Sequence, residues 1–120
     1  MGTSLRRYLR LLAGLTIISC LGQLALPAKL GVNSAWGVAP GWQREIAFWN
    51  FAMYILIART IRANDAVGGR TVAIALVALQ ALVATNHAVA TIQSHAMLNA
   101  VMCAVNFGCV AFGLSALRVR

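Results

Sequence analysis

The chain has 120 residues, 61% of them hydrophobic and only 10% charged. A soluble domain carries roughly a quarter charged residues, and one this small keeps too much surface in water to hide so much apolar material. A soluble enzyme, a disordered tail and a secreted disulfide scaffold are therefore excluded, and an integral membrane protein remains. The formal net charge of +8 arises from ten Lys and Arg set against Glu45 and Asp65 alone. These basic residues stand at the ends of apolar runs and not in polar, aromatic-rich patches. That placement points to lipid head groups and the cytoplasmic ends of membrane helices, and away from nucleic acid.

Four apolar segments follow one another, at about residues 9–26, 42–62, 71–93 and 97–117. Each is near the roughly 20 residues needed to cross a bilayer as a helix. Lipid offers no partner to an unpaired backbone group, so each segment is expected to be helical. The fold class expected is all-α, a single-domain four-helix membrane bundle over residues 1–120. Pro27-Ala28-Lys29 ends the first segment, and the Gly-, Ser- and Trp-containing stretch from Pro27 to Pro40 reads as a surface loop. Residues 63–69, with Asn64, Asp65, Gly68 and Gly69, read as a turn. Gln93-Ser94-His95 is the turn before the last segment.

Charge on the loops sets the expected orientation. Arg6, Arg7, Arg10, Arg59, Arg62, Arg70, Arg118 and Arg120 fall on one side, and only Lys29 and Arg44 on the other. Both termini are thus expected in the cytoplasm, the membrane being the bacterial inner membrane. Arg6-Arg7 ahead of an apolar run resembles a secretory leader. Leu26 and Pro27 spoil a small-residue cleavage pattern, however, and the run has full spanning length, so an uncleaved helix is expected. Cys20, Cys103 and Cys109 lie within apolar runs, without a C-x-x-C spacing, and read as small hydrophobes.

Polar residues inside these segments are the candidates for function. Glu45 lies close enough to Arg59 and Arg62 for a continuous helix to hold it inside or at the outer rim of the hydrocarbon core. Gln80, His87 and Thr91 share one face of the third segment, and Asn99, Cys103 and Asn106 share one of the fourth. Alternating topology places Gln23, Glu45, His87 and Asn99 in the outer half. The functional expectation is an outer polar pocket of Glu45, His87, Gln23, Asn99, Gln80 and Asn106, with Glu45 and His87 as an acid–imidazole pair. The competing expectation is that these groups hydrogen-bond neighbouring helices together. His87 and His95 are poorly placed to share a haem. No cofactor, metal or catalytic residue is expected.

The stretch Ala39-Pro40-Gly41-Trp42-Gln43-Arg44-Glu45-Ile46-Ala47-Phe48-Trp49-Asn50, together with Asn86-His87, resembles small bacterial four-helix membrane proteins of the DoxX-like kind. That resemblance implies a four-helix membrane fold and, in some members, a link to membrane redox and quinone systems; it assigns no catalytic residue. The function expected is a structural or accessory subunit of a membrane complex, and not an enzyme. The alternatives are a small transporter or ligand-binding protein using Glu45 and His87 and, ranked last because no nucleophile–base or metal-ligand constellation stands out, a membrane-embedded enzyme acting on a lipid or quinone. The partners expected are the lipid bilayer and either other membrane subunits or further copies of the chain.

Overall fold

The computed structural model describes residues 1–118. Among them every regular element is an α-helix: α1 Thr3–Ala25, α2 Pro27–Val32, α3 Pro40–Ala63, α4 Ala66–Ser94 and α5 Met97–Arg118. Arg120, counted above with the basic tail, lies outside the described residues. Three of the helices, α1, α4 and α5, are long and apolar enough to cross a membrane. The second expected crossing falls on α3, whose 24 residues are diluted by Gln43, Arg44, Glu45, Asn50, Arg59 and Arg62; length suffices there and hydropathy does not.

Local chemistry explains where the helices stop. Leu26 precedes a proline, which biases it away from helical backbone, and it sits at φ −130°, ψ 41°. Pro27 then opens α2, at a position where its missing N–H costs nothing. The expected loop from Pro27 to Pro40 is corrected accordingly: its first six residues are helical. Gly31 lets the following loop fold back, since a Cβ there would lie 2.6 Å from Val38 Cα. The expected turn at residues 63–69 shrinks to two residues. Asn64 takes the left-handed conformation that ends α3 (φ 55°). Asp65 caps α4, its carboxylate accepting from the N–H groups of Val67 (3.1 Å) and Gly68 (2.6 Å). The backbone bonds of Gly68 and Val67 hold the Asp65 carboxyl below its usual range. Likewise α1 begins at Thr3, not near residue 9, so Arg6, Arg7 and Arg10 are themselves helical.

The bundle measures 42 × 26 × 15 Å, its long dimension comparable to a bilayer with its head-group layers, about 40–45 Å. α1 packs chiefly on α3 and α4 on α5, and the two pairs meet through α1. Hydrogen bonds fix the antiparallel register of the first pair. Arg6 bonds the side chain of Asn64, Ser19 meets Asn50 at 3.1 Å, and the Pro27 carbonyl meets Gln43 at 2.8 Å. At the same end as Arg6, Arg70 donates to the Leu117 carbonyl at 2.8 Å. The start of the chain, the α3–α4 turn and the end of α5 therefore lie together.

The two halves of the bundle are held differently. Near the chain ends the core is apolar, with Leu5, Tyr8, Leu9 and Leu12 packed against Ile57, Leu76 and Cys109. Gly113 is the point where three helices converge: a Cβ there would collide with Val77 and stand 2.7 Å from Tyr8 Cζ. Small residues of this kind permit close packing where lipid provides no hydrophobic drive. In the other half the buried groups include Gln43 and Asn99. Outside, large apolar side chains face away from the bundle, Leu82 at 71% exposure and Ile92 at 75%, as suits a surface in contact with lipid.

Candidate functional site

The polar half closes around Asn99. This residue occupies the first turn of α5 and is fully buried. Its Oδ1 accepts from the Ala35 backbone N–H at 2.7 Å, and its Nδ2 lies 3.1 Å from Nδ1 of His87 on α4. A backbone N–H can only donate, which fixes the orientation of the Asn99 amide. Its nitrogen can then only donate, so His87 Nδ1 is the acceptor and the ring proton sits on Nε2. Trp36, the next loop residue, lays its indole against the His87 ring, with centroids 5.0 Å apart and planes tilted by 54°. The loop after α2 is thus fastened to both α4 and α5 by one amide and one ring contact.

A second polar group joins α1, α2 and α3. Gln43 is 7% exposed and donates from Nε2 to the Pro27 carbonyl. Its Oε1 is buried without a hydrogen-bond partner among the described residues, and so is Oε1 of Gln23 on α1. Two turns further along α3, Asn50 bonds both Ser19 Oγ and the Ile46 carbonyl. Gln43 was not among the residues singled out from the sequence. Its spacing with Ala47 and Asn50, at i, i+4 and i+7, marks the face that packs on α1 and could have found it.

The six candidate residues do not converge on one pocket. His87 and Asn99 are brought together, and Gln23 stands half-buried at the α1–α3 seam. Asn106 spends its amide on the Met102 carbonyl of its own helix at 2.7 Å. Gln80 is half-buried at the centre of α4. Glu45 is exposed, on the face of α3 opposite Gln43, where it lines a shallow open groove of about 320 Å³ with Phe48, Trp49 and Ala52. Among the described residues no hydrogen bond or ion pair joins Glu45 to His87. The expected acid–imidazole pair is replaced by an amide–imidazole pair, because α3 turns its amides, and not its carboxylate, toward the bundle.

Among the described residues, fold and site together define an all-helical protein with three helices long and apolar enough to cross a membrane, and with one half of the bundle tied by amide side chains. Comparison with family models, with curated protein sequences and with solved structures gives no match.

Proposed function

We propose that the chain is a multi-pass protein of the bacterial inner membrane that crosses four times, with both described ends in the cytoplasm, and that it acts as a structural or accessory subunit of a larger membrane complex. The observation that carries the fourth crossing is the register of α3 on α1. Bonds at Asn64, Asn50 and Gln43 span the whole length of α3. Its 24 residues cover about 36 Å at 1.5 Å per residue. If α1 crosses, α3 crosses beside it, its polar face against α1 and its aromatic face toward lipid. Orientation rests on the arginines, with Arg6, Arg7, Arg10, Arg59, Arg62, Arg70 and Arg118 near one end and Lys29 and Arg44 near the other.

The accessory role is supported by where the polar side chains are spent. Asn99, Gln43 and Asn50 tie helices and a loop to one another, the ordinary use of amides between membrane helices. The DoxX-like kinship belongs to the same proposal and rests on residues 39–50. Purification in a mild detergent, with mass spectrometry of co-eluting proteins, lipids and quinones, tests the role. A stoichiometric protein partner is expected; a retained small molecule and no protein partner would contradict it.

A second reading, ligand binding, is favoured by one observation: the carboxylate of Glu45 stands beside Phe48 and Trp49 in an open groove, a setting suited to a cationic amphiphile. Glu45→Gln would abolish such binding and leave the fold intact.

A further inference from the structure

Helix α4 carries a second pattern that its packing on α5 does not use. Ala75, Leu79, Leu82, Asn86, Val89 and Gln93 recur at alternating spacings of four and three residues, the heptad spacing of helices that pair. All six are exposed, Leu82 at 71%. One member of the row is out of place on a lipid-facing surface. Asn86 lies six residues from Gln80, the midpoint of α4, about 9 Å along the axis. That is well inside a hydrocarbon half-thickness of about 15 Å.

Two other asparagines within the long helices show how an amide is accommodated at such depth. Asn50 and Asn106 each donate to the carbonyl four residues earlier. Asn86 makes no such bond, and its side chain has no hydrogen-bond partner in the described chain. An amide unpaired in hydrocarbon is costly.

We propose that this face of α4 is the contact between two copies of the chain, arranged in parallel about a two-fold axis along the membrane normal, with Asn86 of one copy bonded to Asn86 of the other. The inference rests on the membrane reading above. A second copy is the fitting occupant because an amide is self-complementary: it brings one donor and one acceptor to its own image. Parallel packing in one membrane also places identical residues at identical depth. Charge does not oppose the arrangement. Arg70 is the one charged residue of α4, and it is drawn to the Leu117 carbonyl of its own chain, so the row itself is uncharged. A single asparagine in an apolar heptad row fixes register and copy number; here Gln93, two turns further on, repeats the device near the outer surface.

Single cysteines placed along α4 in the full chain, oxidised in native membranes, test the contact. Leu82→Cys and Val89→Cys are expected to give disulfide-linked dimers of the chain well above the unsubstituted protein. Ile74→Cys and Ile92→Cys, equally exposed but about 100° around the helix, are expected to stay at that background. Cross-linking at all four sites alike, or at 82 and 89 only to a different protein, would overturn the proposal. Asn86→Leu should weaken self-association in detergent, followed by sedimentation, about tenfold; undiminished association would also overturn it. A chain that fractionates with membranes yet cross-links nowhere would defeat the dimer and leave the crossing topology standing, whereas recovery in the soluble fraction would defeat both.

Discussion

Asn99 holds the backbone N–H of Ala35 with its oxygen and the imidazole of His87 with its nitrogen, so a single buried amide fixes both the loop after α2 and the tautomer of the histidine. Replacing it removes two bonds at once. Asn99→Ala leaves His87 Nδ1 and the Ala35 N–H without their partner; both sites are only partly buried, so the loss should fall at or below about 1 kcal/mol for each bond. Amide exchange at Ala35 should accelerate in the variant, while exchange in the middle of α1 and α4 should be little changed. Unaltered exchange at Ala35 would deny the loop its anchor.

The same geometry makes a spectroscopic statement about His87. With Nδ1 accepting, nitrogen NMR of the selectively labelled ring should report a neutral imidazole protonated at Nε2. Asn99→Asp should upset that assignment, because a carboxylate has no N–H to give and calls for a donor on Nδ1.

Tyr8 presents the opposite case, a polar atom buried without a partner. Its ring is fully buried and packs edge-on against Phe112, with centroids 5.8 Å apart, yet its hydroxyl has no hydrogen-bond partner among the described residues. Tyr8→Phe removes that orphan and keeps the ring. It should leave the thermal midpoint in detergent unchanged or raise it, in line with a relieved penalty of about 1–3 kcal/mol. A clear loss of stability would mean that the hydroxyl has a role in the native membrane.

Gly113 is the tightest point of the packing between α1, α4 and α5. A methyl group there meets the side chains of Val77 and Tyr8, so Gly113→Ala should destabilise by about 1–3 kcal/mol as those side chains are displaced. The double variant Gly113→Ala, Tyr8→Phe should lose less than the sum, since the hydroxyl is one of the atoms struck.

Asp65 supplies a pH dependence outside the membrane helices. Its carboxyl is held below the ordinary range by the N–H groups of Gly68 and Val67. A depressed acid contributes stability that is fully present above the unfolded value, about 3.9, and that is lost as pH falls through the lower folded value. Stability should therefore be insensitive to this group at neutral pH and decline in acid. Asp65→Asn should flatten that decline and Asp65→Ala should loosen the α3–α4 turn at every pH, both followed by thermal unfolding.

Much of this fold is legible in composition and in runs of apolar residues, because lipid tolerates little besides helix. What escaped was decided by backbone chemistry at single residues. Pro27 reads as a break, yet it also starts α2, since proline fits a first helical turn. Asn64 and Asp65 compress a seven-residue linker into two residues by ending one helix and capping the next. The site was legible in part. His87 and Asn99 were named from helical faces, and they meet. Glu45 drew attention as the only acid in the apolar segments, but charge alone does not say which face of α3 is buried; Gln43, on the opposite face, does the packing. Asn86 read as part of a motif, and its lack of a partner among the described residues is what suggests the proposed contact between copies.

Impermeant thiol labelling of intact cells tests the crossing topology most directly, with one cysteine placed at Asn33, in the loop after α2, and another at Asn64, between α3 and α4. Modification is expected at position 33 from outside, and at position 64 only after the membrane is opened. Labelling of both positions from outside, or of position 64 alone, would contradict it.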